Sequence, residues 1–174
     1  MDAAQADRIP RVLVIGVGNA ARGDDAVGCQ VIQRLQGSVG EEVEMQEQSG
    51  EGTALMEAWQ EADAVILVDA VQSGGAPGTI FRFDAHEEAL PAKFFRYSTH
   101  AFSVAEAVEL ARVLHRLPPR LVVYGIEGQT FAAGVGLSPA VAAAVAQVVT
   151  QVRREIANQQ WLAGEEDART VSHR

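Results

Sequence analysis

The chain has a single cysteine, Cys29, among 174 residues. That excludes an intramolecular disulfide framework and a cysteine-rich zinc site. Long hydrophobic runs are missing as well. Nothing approaches the about twenty apolar residues of a membrane span, and the N-terminus lacks the basic start and apolar stretch of a signal peptide. Basic residues are few, 14 against 23 acidic, for a net charge of −9. They gather into nothing larger than the pair Arg153–Arg154. A field of that sign opposes phosphate backbones and anionic lipid, so neither nucleic acid nor membrane is expected as a partner, and cytoplasm is the expected compartment. The four histidines are scattered, unlike the His-rich tracts of metal carriers. No internal repeat is present.

What remains is an ordinary globular composition, 48% hydrophobic and 21% charged. The length suits one domain with a real core and not comfortably two. Residues 1–10 lack periodicity and read as a loose segment, residues 11–158 as the domain, and residues 159–174 as a polar, flexible tail.

Val12–Val17 (VLVIGV) is a short apolar run ending in glycines, which predicts a buried parallel strand. After a polar loop, Val27, Val31, Ile32 and Leu35 recur with helical spacing, so a helix is expected over Ala26–Gln36. Glu42–Gln46 alternates and predicts a more exposed strand; Thr53 begins a helical segment with Leu55, Met56 and Trp59. Ala64–Val68 (AVILV) predicts a second buried strand, ending at Asp69. The turn Gly74–Gly78 leads to Thr79–Asp84, too soon for a helical crossover, so that strand is expected to be antiparallel. Ser103-x-x-Glu106 has the form of a capping box for a helix to Leu114. Leu121–Ile126 is the third central strand, and Ser138-Pro139 opens a last helix, with proline where its missing donor is harmless. The sum is an α/β, single three-layer domain: a mostly parallel central sheet with one antiparallel strand and helices on both faces.

Ligands of such sheets bind beyond the carboxyl ends of the strands. Three polar features fall there: the loop from Gly16 to Asp25, Asp69 after the second buried strand, and Ser98-Thr99-His100 before the capping box. Gly16-x-Gly18-x-x-Ala21 fits a loose dinucleotide fingerprint, but the loop is too long for it, and the carboxylates of Asp24 and Asp25 would repel a pyrophosphate. Asp24 and Asp25 also suit plain capping at the positive end of a helix. Asp69 suits a turn, and His100 a backbone hydrogen bond. Taken together, two carboxylates and one imidazole at one sheet edge form a workable set for nickel, zinc or cobalt. Cys29, inside the following helix, reads as a small buried thiol rather than a nucleophile.

The wording GVGNAARGDDAVG, VDAVQSGGAPGTI and STHAFS, in this order and spacing, resembles the hydrogenase maturation endopeptidases. The resemblance runs from about Val12 to Val149 and includes the late YGIEG and GLSPAV segments. It implies an endopeptidase that removes a C-terminal extension from the large subunit of a nickel–iron hydrogenase after nickel insertion. It further implies that Asp25, Asp69 and His100 are the metal-contacting and catalytic set, with Gly16, Gly18, Asn19 and Asp24 shaping the loop. The nickel would belong to the nickel-loaded precursor, the expected partner, and no nucleotide would be needed. Some relatives carry Glu at the position of Asp25, Ala26 stands where glycine is common, and Ser49–Thr53 matches a Gly-Gly-Thr turn only loosely. Whether the metal or a carboxylate activates water is left open by the residues. Two other functions fit parts of the pattern: a nucleotide-binding oxidoreductase explains the glycines, and a non-catalytic nickel-binding chaperone explains the metal set. Phe102, Phe94 and Phe95 are candidates for gripping a macromolecular substrate, or for plain core packing.

Overall fold

The computed structural model describes residues 8–95 and 102–158. His100, with Ser98 and Thr99, lies outside the described residues, as do residues 1–7 and the whole expected tail 159–174.

Five strands make one sheet in the order β2-β1-β3-β5-β4. They are β1 (Val12–Val17), β2 (Val43–Gln48), β3 (Ala64–Val71), β4 (Ile80–Asp84) and β5 (Arg120–Glu127). All neighbours are parallel except β4 and β5, which are antiparallel, as the short Gly-rich connection from β3 requires. Among the described residues the α-helices are α1 (Val27–Leu35), α2 (Gly52–Ala58), α3 (Val104–Val113) and α4 (Pro139–Ala157). The expected three-layer architecture is the observed one.

Strand periodicity sorts the core into two halves. Val12 and Val14 of β1, Ile66 and Val68 of β3, and Val122 of β5 pack on one face under α1 and α4. Leu13, Ile15, Val65, Leu67, Leu121 and Val123 pack on the other, under α2 and α3. Every residue of β1 is buried, because each side of that strand faces a helix layer. β2 alternates instead, with Val43 buried and Glu44 exposed, as suits an edge strand.

Several boundaries shift by one or two residues from the sequence expectation, and two of the shifts bear on the site. The helix expected at Ala26 begins one residue later and is preceded by a 3-10 turn over Gly23–Ala26, which carries Asp24 and Asp25. The strand expected to end at Asp69 continues to Val71, with Asp69 opposite Gly125 and Val71 opposite Glu127. Asp69 is therefore inside the ladder, held by backbone bonds on a rigid strand rather than on a loop. α3 begins with the expected capping box between Ser103 and Glu106. It ends with His115 in the left-handed region (φ 53°) while Arg116 N–H donates back to Ala111. No helix among the described residues is long and apolar enough to cross a membrane.

Candidate functional site

From β1 the chain passes to β2 on one side, then returns across β1 to β3 on the other. The carboxyl edge between β1 and β3 is thus the switch point, where open α/β sheets leave a crevice. A cleft of about 110 Å³ opens there, lined among others by Gly18, Asn19, Arg22, Asp25, Ser49, Gly50, Asp69, Phe95 and Phe131.

The β1–α1 loop is shaped by backbone constraints that only certain residues meet. Gly18 has φ +132°, and a Cβ there would lie 2.0 Å from the Asp25 carbonyl oxygen. Gly16, within β1, lets α1 approach, since a Cβ would lie 2.3 Å from the Gly28 carbonyl oxygen. Asn19 Oδ1 accepts from Ala21 N–H at 2.9 Å, a local turn typical of Asn. The Asn19 N–H donates to Asp25 Oδ2 at 2.9 Å, which orients that carboxylate in the cleft.

Asp24 and Asp25 point to different ends of the molecule's chemistry. Asp24 is fully buried, at 0% exposure. Its carboxylate accepts from Gln129 N–H (2.7 Å), Thr130 N–H (3.0 Å), Ser138 N–H (2.7 Å) and Ser138 Oγ (2.9 Å). Burial alone would raise its pKa; those bonds outweigh burial and hold the carboxyl below the ordinary value. Asp24 is therefore a clamp joining the first loop to the loop after β5 and to the start of α4. It is no cap of α1, the role its position suggests.

Asp25 and Asp69 line the same cleft. Burial at the sheet edge, and then the negative charge of Asp25, push the Asp69 carboxyl well above the ordinary range. A cation placed between them would relieve both effects, which is the sense in which the pair fits a divalent metal. Among the described residues no group of three His, Cys, Asp or Glu side chains is arranged to hold a metal ion. Cys29 sits just behind the cleft, where burial, Glu47 and Asp25 push its thiol up to about 11. It is a neutral thiol at ordinary pH and no ready nucleophile.

Of the aromatic candidates, Phe95 lines the cleft, Phe94 packs with Phe81 and Phe83, and the Phe102 ring covers Gly52. Sequence reasoning passed over Arg22 and Phe131 as cleft residues. Arg22 was in view inside the quoted motif; Phe131 carries no local signal and is brought in by the loop that the Asp24 clamp holds.

The fold and the cleft define a single-domain α/β protein with a carboxylate-lined site at its switch point. A family model for hydrogenase maturation proteases matches residues 29–155. The putative hydrogenase maturation protease of Methanocaldococcus jannaschii is 32% identical over 151 residues, 83% of this chain and 96% of its own length. The Hydrogenase 2 maturation protease of Escherichia coli (strain K12) is 29% identical over 146 residues, 82% of this chain and 88% of its own. The solution structure of an endopeptidase from Escherichia coli superposes with a TM-score of 0.72 at 28% identity, covering 84% of this chain and 93% of that one. The chain belongs to the hydrogenase maturation protease family. It is a protease, and the nucleotide-dependent oxidoreductase and carrier readings of its motifs give way to that.

Proposed function

We propose that the protein is the endopeptidase that removes the C-terminal extension of a nickel–iron hydrogenase large-subunit precursor once nickel has been inserted. Asp25, Asp69 and His100 contact the nickel, which arrives as part of the substrate. The observation that carries this reading is the placement of Asp25 and Asp69 in one cleft at the switch point, close enough for the charge of Asp25 to act on Asp69. The part given to His100 rests on the sequence motif alone.

On this reading the two carboxylates form a poor resting site and a good reading site. Without a cation the pair carries mutual repulsion, so the cleft is tuned to a partner that brings positive charge. Nickel held in the precursor supplies that charge and fixes the scissile peptide beside the two carboxylates. The metal contributes Lewis acidity at the same place. Asp25, oriented by the Asn19 N–H, contributes charge and aim. Cytoplasmic action belongs to the same proposal, supported by the charge of −9, which opposes adhesion to anionic lipid.

The test is incubation of wild-type protein with nickel-loaded and with metal-free large-subunit precursor, following loss of the C-terminal peptide by mass spectrometry. Cleavage of the nickel-loaded form alone is expected. Equal cleavage of both would end the nickel-reading proposal.

A further inference from the structure

Among the described residues lining the cleft, Arg22 is the sole basic one. Its backbone is pinned into the same turn as Asp25: Arg22 N–H donates to Asn19 O at 3.2 Å, and Asp25 N–H donates to Arg22 O at 3.1 Å. Its Nε donates to the Phe131 carbonyl at 3.5 Å, which anchors the guanidinium on the cleft wall. Three described arginines are half-buried: Arg22, Arg112 and Arg120. Arg112 pairs with Glu109, and Arg120 lies 3.8 Å from Asp84. Arg22 has no carboxylate within ion-pair distance among the described residues, although the chain carries 23 acidic side chains.

Withdrawing a guanidinium partly from water without a counter-charge is unfavourable, and the cost is recovered when a carboxylate docks on it. The planar fork matches a carboxylate in two parallel hydrogen bonds. We infer that Arg22 is a specificity-determining residue that docks a carboxylate of the precursor beside the scissile bond. This rests on the reading of the cleft as the peptidase site. In a protein of net charge −9, a general acidic surface repels anionic peptides. One cation in the cleft then selects the peptide that brings its carboxylate to the right place. The carboxylate comes either from an Asp or Glu side chain of the precursor or from the C-terminus of its extension.

The experiment compares wild type, Arg22→Gln and Arg22→Lys on nickel-loaded precursor, with Asp69→Asn alongside and melting temperatures recorded. Arg22→Gln is expected to raise KM about tenfold or more, the loss of one charge-assisted fork, with kcat within about twofold. Arg22→Lys should fall between, keeping charge but not the fork. On wild type, neutralising the precursor's Asp and Glu side chains near the cleavage site, or separately amidating its C-terminus, should reproduce the KM effect in one arm. The same change should add nothing on Arg22→Gln. An unchanged KM in Arg22→Gln, or a fall in kcat alone, overturns the docking role. So does a KM rise that neither precursor arm reproduces. If Asp69→Asn also cleaves normally, the cleft reading itself has failed; if Asp69→Asn is inactive while Arg22→Gln is normal, only this inference has.

Discussion

Asp24 and Asp25 are adjacent in the chain, yet they belong to regions governed by opposite physics. The Asp24 region is a saturated clamp, with a buried carboxylate accepting four hydrogen bonds and held below its ordinary pKa. The Asp25–Asp69 region is a frustrated cleft, where one carboxyl is pushed up by burial and by the other's charge. The first stabilises the fold; the second, on the proposed function, stores repulsion that a substrate cation would relieve. The comparison teaches that an acidic pair in a motif does not imply a pair of ligands. One carboxylate builds the frame that aims the other.

The largest expected effects separate the two regions. Asp69→Asn and Asp25→Asn should each lower processing of nickel-loaded precursor by at least about a hundredfold, with melting temperatures equal to or above wild type. A loss of stability matching the loss of activity would erase the distinction. Asp24→Ala should behave in the reverse sense. It leaves one buried and two part-buried N–H donors without their acceptor, so unfolding by urea should report a loss of about 3–5 kcal/mol. A loss near the roughly 1 kcal/mol of a simple cap would mean that the clamp adds little.

Stability against pH sharpens the same contrast, because the two shifts have opposite signs. Asp24 has its folded pKa below the unfolded value of 3.8, so its contribution is present above that value and lost as pH falls through the lower folded value. Asp69 has its folded pKa above 3.8, so folding is favoured below 3.8 and that advantage is lost as pH rises through the folded value. Relative to wild type, Asp24→Asn should recover in acid, whereas Asp69→Asn should gain as pH rises toward neutrality. Urea denaturation at a series of pH values reads both. Curves that move in the same direction would contradict the assignment.

The smallest effect lies far from either region and serves as a control. His115 occupies a left-handed C-terminal position at the end of α3, so His115→Gly should raise stability by up to about 1 kcal/mol without changing cleavage.

Much of this was legible in the sequence, for local reasons. β1 was readable to the residue because a strand buried on both faces is a continuous apolar run. The antiparallel β4 followed from the length of its connection, and the α3 capping box from two residues three apart. The shared edge position of Asp25 and Asp69 followed from their places after apolar runs, although β3 continues past Asp69 because a polar residue at a sheet edge need not end a ladder. The role of Asp24 was not legible. Its partners lie 105 to 114 residues away, and three of its four hydrogen bonds come from backbone donors that any residue type supplies. Arg22 lay in plain view in the motif, but its lack of a carboxylate partner among the described residues is a property of the folded neighbourhood.

The central claim is that Asp25 and Asp69 read a cation carried by the substrate. The most direct measurement is the affinity of nickel-loaded and metal-free precursor for wild type and for the Asp25→Asn/Asp69→Asn double variant. The account predicts that wild type prefers the nickel-loaded form by about tenfold or more and that the double variant has no preference. An undiminished preference in the double variant would contradict it.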